Sequence, residues 1–541
     1  MRIALAQINP CLGDFEKNSE KILEFSQRAV ERRADIVLFP ESSLFGYHPM
    51  DLLERPGVVV AQMKVLNKLI KKLPKDILIL FGAFVPNPRK RGKAYLNAAI
   101  GVRNGKKVFQ CAKSLLPTYD VFDDARHIEP GDMSKNILKY KGKKILITIC
   151  EDIWAWPRPG KDVESLYPGN PLRTIKPSQV DLVLNMSASP FYPGKLKDRM
   201  HVVKKTAEYL RAPMAYVNMS GAQDELIYDG GSFAIDRKGK KLSQSVYFQE
   251  DLNIVDFEEE SGGSREITKD KLEQMRQALS LGIRDFVDKV GMKQVHFGLS
   301  GGIDSALVAC LAADALGSDR VTAFALPGPY SSDKSFELAK KLASNLGIQF
   351  HSIDINPGYT AMVNELAKSL GEQEFSLMQE NIQSRLRGML LMAYSNKTGS
   401  LLLNTSNKAE FATGYGTLYG DMAGGLCPIG DLLKGEVYDL AEHYNAEYEL
   451  IPKEIITRAP TAELAPNQKD EDSLPPYSEL DPAVERLVDK MGSARTDTEN
   501  FVLNAMYKSE FKRWQAPPIL KVSEHSFGRG RRMPVAHRAF Y

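Results

Sequence analysis

The chain has 541 residues, room for two or more domains with separate cores. Its composition, 43% hydrophobic and 26% charged, is that of an ordinary globular protein, and a net charge of +3 gives no electrostatic reason to expect nucleic acid as a partner. No apolar run approaches the ~20 residues that cross a bilayer, and the five cysteines lack paired metal-type spacing, so no membrane is expected and the thiols read as free in a reducing, cytoplasmic setting.

The sequence starts directly as a strand, MRIALAQINP, without the layout of a signal peptide. From residue 1 to about 256, strand-like runs at 3–7, 36–39, 77–81, 145–150, 182–185 and 214–218 alternate with helical ones. Three residues sit at or just after strand ends, where α/β folds gather their chemistry: Glu41 after IVLFP, Lys113 after VFQCA, and Cys150 at the close of KILITIC. A thiol, a carboxylate to take its proton and an ammonium to stabilise an anion are what amide hydrolysis needs. On residue type alone, a buried structural cysteine is commoner than a catalytic one.

Residues 257–268 (FEEESGGSREIT) are charged, contain glycine and have little apolar content, so they read as a linker. From Lys269 a helical run, KLEQMRQALSLGIRDFV, leads to a short buried strand carrying Val295, Phe297 and Leu299. A glycine- and serine-rich turn follows, SGGIDS, and then a helix over 306–316. Gly298, Gly301 and Gly302 let the backbone turn tightly and approach a ligand, so that Ser300, Ser305 and the helix N–H groups can meet anionic oxygens. The turn is a phosphate cradle, but neither G-x-x-x-x-G-K-[ST] nor G-x-G-x-x-G. Further strands are expected at 321–326 and 401–404, with loops at 470–476 and 515–518.

The words around the first three residues carry a resemblance. FPESSLFGY (39–47), KSLLPTYDVFDDARHIEPG (113–131) and ICEDIWAW (149–156) resemble the nitrilase-type glutaminases, which place a Glu, a Lys and a Cys in this order. The resemblance implies Glu41 as general base, Lys113 as the cation facing the oxyanion, Cys150 as nucleophile, and an αββα sandwich over 1–256. NMSASPFYPGKLKDR (185–199) is similar to that family's glutamine-binding segment, with Ser189 and Lys195 at the recognition positions and Tyr119 as a further glutamine contact. Arginine sometimes stands where this chain has Lys195, which exchanges a bidentate contact for a point charge.

SGGIDS resembles the pyrophosphate loop of enzymes that split ATP into AMP and pyrophosphate. Behind it, in matching order, come LPGPYSSDKS (326–335), ENIQSRLRG (380–388), NTSNKAEFATGYGTLYGDMAGG (404–425), PIGDLLKGEVY (428–438), RAPTAELAP (458–466) and FKRWQAPP (511–518). Together they resemble NAD synthetase, and the whole chain resembles the glutamine-dependent form of that family. The implied second domain, 269–541 after the linker at 257–268, is a doubly wound parallel sheet of the adenine nucleotide alpha hydrolase type. The implied ATP contacts are Gly298, Leu299, Ser300, Gly301, Gly302, Ile303, Asp304, Ser305, Thr405, Lys434 and Thr461. Asp304 and Glu410 are the implied Mg²⁺ ligands, and Asn381, Arg387, Glu410 and Lys512 the implied deamido-NAD contacts; Arg385 reads equally as a helix-surface charge. Asn404 and Ser406 stand where relatives often have glycine, a change expected to stiffen that loop without removing a ligand.

The implied reaction consumes glutamine, ATP and deamido-NAD, and the implied assembly is a homo-oligomer through the synthetase domain. Other amidations or tRNA thiolation on the same loop would bring another amidotransferase type, paired cysteines or an RNA-binding addition, and the sequence has none of these. A binding module with inactive domains would have lost Cys150, Lys113 or Asp304, and all three are present.

Overall fold

The computed structural model describes residues 1–89, 91–157, 166–371 and 374–537. The backbone divides into two compact units, one of Met1–Gln223 with Ile227–Lys269, the other of Asp224–Leu226 with Asp270–Tyr541.

In the first unit the chain runs β1 (Arg2–Gln7), α1 (Phe15–Glu31), β2 (Ile36–Leu38), α2 (Pro56–Lys72), β3 (Leu78–Pro86), β4 (Tyr95–Arg103), β5 (Lys106–Ala112), β6 (Ile137–Tyr140), β7 (Lys143–Ile149) and β8 (Leu182–Ser187). It continues with α3 (Lys195–Leu210), β9 (Met214–Asn218), β10 (Ser220–Gln223), β11 (Leu226–Asp229), β12 (Phe233–Ile235), β13 (Lys241–Gln244), β14 (Asp251–Asp256) and β15 (Ser261–Gly262). The larger sheet has the order β15-β14-β1-β2-β3-β4-β5 and the smaller β13-β12-β9-β8-β7-β6. Each has three parallel strands at its centre, β1-β2-β3 and β7-β8-β9, with antiparallel strands outside them.

The strict alternation of a strand's side chains decides the layering. Ile3 and Leu5 of β1, with Ile36, Leu38, Leu78 and Leu80, join Ile145, Ile147, Leu182, Leu184 and Ala215 of the smaller sheet in one buried cluster between the sheets. Ala4, Ala6, Val37, Ile79 and Phe81 face the other way, onto Phe15, Ile22 and Phe25 of α1 and Val65, Leu66 and Leu69 of α2. Leu146, Val183, Met214 and Tyr216 likewise meet Val202, Val203, Ala207 and Leu210 of α3. The four layers are helix, sheet, sheet, helix, the expected αββα sandwich.

The stretch 257–268 is not wholly a linker. Its Ser261–Gly262 form edge strand β15, in register with Val255 and Asp256 of β14, and Arg265 N–H donates to the Gln244 carbonyl at 2.8 Å. Backbone hydrogen bonds, which need no apolar side chains, attach this charged segment to both sheets.

The second unit opens with α4 (Lys271–Lys289), β16 (Val295–Gly298), α5 (Ile303–Leu316), β17 (Val321–Ala325), α6 (Asp333–Leu346), β18 (Gln349–Ser352), α7 (Asn356–Leu370), α8 (Leu377–Thr398) and β19 (Leu401–Leu402). It ends with α9 (Lys408–Thr413), α10 (Lys434–Tyr444), α11 (Lys453–Thr457), α12 (Tyr477–Val484), α13 (Asp497–Lys508) and α14 (Glu510–Arg513). The sheet order is β18-β17-β16-β19, all parallel. The chain winds from β16 out to β18, then returns to the other side of β16, so a switch point lies between β16 and β19. Open parallel sheets bind ligands at such a point, beyond the strands' C-terminal ends.

Three readings shift in detail. The helix after the glycine turn begins at Ile303, three residues before its apolar pattern does, because its first turn is polar and faces a cavity. The strand expected at 401–404 stops at Leu402, where the Asn404 side chain takes over, donating to the carbonyls of Asp421 (2.7 Å) and Ala423 (3.1 Å). Edge strand β18, Gln349–Ser352, is mostly exposed and carries no hydrophobic alternation for a sequence pattern to find.

Candidate active sites

Glu41 lies in the turn after β2, pressed against β3 at Gly82. A Cβ at position 82 would fall 2.0 Å from the Ser42 nitrogen and 2.8 Å from the Glu41 carbonyl carbon, so only glycine admits the turn. Lys113 follows β5, and its N–H donates to the Asn97 carbonyl at 2.9 Å. Cys150 follows β7 in the left-handed region, at φ +45°, a conformation that non-glycine residues adopt at a cost and that often marks a functional turn.

These three strand ends meet in a buried site. Lys113 Nζ lies 2.9 Å from Glu41 Oε1 and 2.7 Å from Asp124 Oδ2. Asn97 Nδ2 donates to Glu41 Oε1 at 2.7 Å and the Ala188 N–H donates to Oε2 at 3.2 Å, and the Cys150 thiol is near enough to help hold the same carboxyl down. Burial pushes the Glu41 carboxyl up, the Lys113 ammonium pulls it back, and the Asp124 charge pushes it up again. Burial works against the Lys113 ammonium too, but the flanking Asp124 and Glu41 carboxylates more than reverse it and hold lysine protonated well above its usual range. Burial and the Glu41 charge hold the Cys150 thiol protonated at rest, against the pull of Lys113. The arrangement sets a protonated thiol beside a buried carboxylate and a permanent cation.

Asp152 ties the site together. Its Oδ2 accepts the Ile149 N–H at 2.9 Å, while Oδ1 accepts those of Ser114 (2.7 Å) and Leu115 (3.0 Å), joining the Cys150 turn to the segment after Lys113. The expected glutamine contacts gather around the same turn. Tyr119 donates its hydroxyl to Glu151 Oε1 at 2.9 Å, as does Tyr167. Lys195, at the start of α3, sets its ammonium over the rings of Trp154 (4.4 Å) and Tyr192 (4.8 Å). Ser189 is fixed from below: its N–H donates to Asn218 Oδ1 (2.8 Å), and the buried Arg199 guanidinium donates to its carbonyl (2.7 Å) and hydroxyl (3.2 Å). Arg199 is itself paired with Asp229 at 2.7 Å.

Asp124, Asn97, Asp152, Arg199 and Asp229 escape a reading of sequence. Asp124 stands beside Asp123 with nothing to distinguish them, and in KLKDRM one buried arginine looks like any helix-surface charge.

In the second unit, a cavity of about 310 Å³ lies at the switch point beyond β16 and β19. Residues 298–300 and 302–305, Thr405, Glu410, Lys434, Thr461 and Arg387 all line it. Gly301 stands just behind, at φ +81°, where a Cβ would meet the Ser335 carbonyl oxygen of α6 at 2.3 Å. Asn381 and Lys512 are not part of the lining. They grip a neighbouring loop instead, Asn381 Oδ1 accepting the Thr417 hydroxyl at 2.7 Å and Lys512 Nζ donating to the carbonyls of Gly414 (2.8 Å) and Gly416 (2.7 Å). Arg385 is exposed and donates to the Leu418 carbonyl of that loop at 3.2 Å.

Asp304 contacts Lys434 Nζ at 2.6 Å and accepts Asn407 Nδ2 at 3.0 Å. Glu410 is held by a reciprocal cap: Asn407 N–H donates to its Oε2 (3.2 Å) and its own N–H to Asn407 Oδ1 (3.1 Å). Burial and the Asp304 charge raise the Glu410 carboxyl well above the usual range, Lys434 opposing them. Arg387 donates to the Leu326 carbonyl at 2.9 Å, and burial lowers its pKa to about 10. Asn404 and Ser406 do stiffen their loop, since Asn404 Oδ1 accepts the Ser406 N–H at 2.9 Å. The lining thus includes a cradle of N–H and hydroxyl groups, the hard carboxylates Asp304 and Glu410, and two cations, a donor set for a polyphosphate with a metal ion.

Comparison with known proteins separates the chain at the same place. The carbon-nitrogen hydrolase family profile matches residues 2–265 and the NAD synthase profile residues 275–516. A glutamine-dependent NAD(+) synthetase of Synechocystis sp. is 42% identical over 562 residues, covering 100% of this chain and 99% of that protein. One of Acinetobacter baylyi is 36% identical, covering 99% and 98%. Among solved structures, that of the glutamine-dependent NAD+ synthetase from Acinetobacter baumannii in complex with ADP is 32% identical, with a TM-score of 0.77 and coverage of 99% and 98%. The synthetase of Cytophaga hutchinsonii, 20% identical with a TM-score of 0.83 and coverage of 100% and 98%, shares the fold.

Proposed function

Because the chain belongs to the family of glutamine-dependent NAD(+) synthetases, we propose which of its residues carry each step of that reaction. The enzyme is a C–N ligase: it hydrolyses glutamine to glutamate and ammonia, and uses the ammonia to amidate adenylated deamido-NAD, giving NAD, AMP and pyrophosphate.

The observation that carries the assignment in the first half is Lys113 held between Glu41 and Asp124 beside the Cys150 thiol. Glu41 takes the thiol proton as sulfur attacks the glutamine carboxamide, and Lys113 faces the oxyanion that forms. Glu41 returns the proton to the departing ammonia, then takes one from the water that cleaves the thioester. Ser189, held by Arg199 and Asn218, and Lys195, held over two aromatic faces, serve the substrate's polar end; Tyr119 positions Glu151 beside them.

In the second half we assign ATP to the cavity, with its phosphates on the residue 298–305 turn and on Thr405, Lys434 and Thr461. Asp304 and Glu410 fit Mg²⁺, which takes one or two carboxylates and completes its shell with water and phosphate; bound there, the ion would neutralise charge on the triphosphate. Arg387 and Glu410, with Asn381 and Lys512 around the 414–417 loop, serve deamido-NAD. We also assign the enzyme to the cytoplasm, consistent with five free cysteines, and to a homo-oligomer. None of the residues of α7 is buried, and Met362, Leu377 and Met389 of α7 and α8 are exposed, an apolar face of the kind that associates. No helix among the described residues is long and apolar enough to cross a membrane.

Ammonia released to water at neutral pH becomes ammonium, which is not a nucleophile, so we propose that nitrogen passes between the sites without mixing with solvent. Amide-¹⁵N glutamine supplied with deamido-NAD, ATP and excess unlabelled ammonium tests both proposals. Label in NAD above the bulk ratio supports them; dilution to that ratio removes the transfer, and no label in NAD even without added ammonium removes the functional reading.

A further inference from the structure

The cavity in the second unit is lined by five carboxylates, Asp304, Glu410, Asp421, Glu463 and Asp470, and by two cations, Arg387 and Lys434. A nucleotide triphosphate entering such a place must bring positive charge with it. Four of the five carboxylates are already engaged. Asp304 contacts Lys434 and Glu410 is capped by Asn407. Asp421 accepts from the Thr417 N–H and the Ser384 hydroxyl, and Glu463 takes Ser332, Ser335 and Arg458.

Asp470 is different. It is 6% exposed and lines the cavity. Its Oδ2 accepts the Tyr477 hydroxyl at 3.1 Å and the Tyr415 hydroxyl also acts on the carboxyl, while the buried Oδ1 makes no hydrogen bond of normal length and angle among the described residues. A charged oxygen left buried and unbonded is strongly unfavourable unless a donor or a cation reaches it. Its surroundings point to a cation. The charges of Asp304 and Asp470 both act on Glu410, and Lys434 attracts all three carboxylates, so the three share one end of the cavity.

We propose that Asp470 is a third carboxylate ligand to the divalent cation that enters with ATP, acting with Asp304 and Glu410 through Oδ1 or through a water that Mg²⁺ retains. The inference rests on the assignment of that cation to Asp304 and Glu410, and it adds a consequence. Asp470 belongs to the segment after α11 that also brings Thr461 to the cavity, so the ion would tie this segment to the phosphate turn.

The test is Mn²⁺ binding to the full-length enzyme, read by electron paramagnetic resonance with α,β-methylene-ATP present, for the wild type, Asp470→Asn, Asp304→Asn and Tyr477→Phe. Asp470→Asn keeps the shape and the Tyr477 contact, and Tyr477→Phe keeps the carboxylate. Expected are at least tenfold weaker Mn²⁺ binding in both Asn variants and near wild-type binding in Tyr477→Phe. Weakening in Asp304→Asn alone overturns the role of Asp470 and leaves the two-carboxylate site standing. No weakening in either Asn variant overturns that site as well, and equal weakening in Tyr477→Phe makes Asp470 a structural residue only.

Discussion

Asp124 is the residue whose replacement speaks most directly to the electrostatics of the hydrolase site. It shares the Lys113 ammonium with Glu41, so the two carboxylate oxygens are no more than about 5.6 Å apart, the two bond lengths end to end. Two unit charges at that separation repel by about 3 kcal/mol at an effective dielectric constant of about 20, equivalent to about two pH units. Asp124→Asn removes the repulsion while keeping the shape. Since the Asp124 charge raises the Glu41 carboxyl, its loss lowers that pKa and makes Glu41 a weaker base. The acid limb of the pH–rate profile for glutamine hydrolysis should therefore move to lower pH, by up to about two units. The rate at neutral pH should fall by about 10- to 100-fold, a fraction of what a general base supplies. Lys113 loses one of its two counterions, so the basic limb should also move down. Steady-state glutamine hydrolysis from pH 5 to 10 is the assay, with ammonium-dependent NAD formation as the internal control. A slower enzyme with both limbs in place would refute the electrostatic reasoning and leave Asp124 a packing role.

Three more outcomes follow from single contacts. Asp304→Asn should cut pyrophosphate release by about 10²–10⁴ with either nitrogen donor, the range for loss of an electrostatic group; normal release would remove Asp304 from the metal site. Gly301→Ala should raise the KM for ATP without touching glutamine hydrolysis, because its Cβ meets the Ser335 carbonyl at 2.3 Å and its φ is +81°; an unchanged KM would mean the turn yields. Ser189→Ala should raise the KM for glutamine more than it lowers kcat if the serine held by Arg199 binds substrate, whereas a pure kcat effect would place it on the reacting atoms.

Much of this was legible before any coordinates. Apolar runs such as IALAQ and ILITI mark strands buried on both faces, while the αββα layering came from the family resemblance. Strand-end positions of Glu41, Lys113 and Cys150 and the glycine turn at 298–302 follow from chain order alone. What the sequence hid is long-range. Asp124 and Asn97 matter only because β4, β5 and the turn after β2 meet, and nothing local marks them. Edge strands β15 and β18 rest on backbone hydrogen bonds, which side-chain periodicity does not report. Asn381 and Lys512, read from the sequence as deamido-NAD contacts, also hold the 414–417 loop, a contact fixed by tertiary placement.

The central claim is that one thiol supplies the nitrogen and a separate site consumes it. Cys150→Ala isolates it, in an assay of NAD formation from deamido-NAD and ATP with glutamine and ammonium compared as donors. The account predicts that glutamine-dependent synthesis is abolished while ammonium-dependent synthesis stays near wild type. A variant that still makes NAD from glutamine at a near wild-type rate would contradict it.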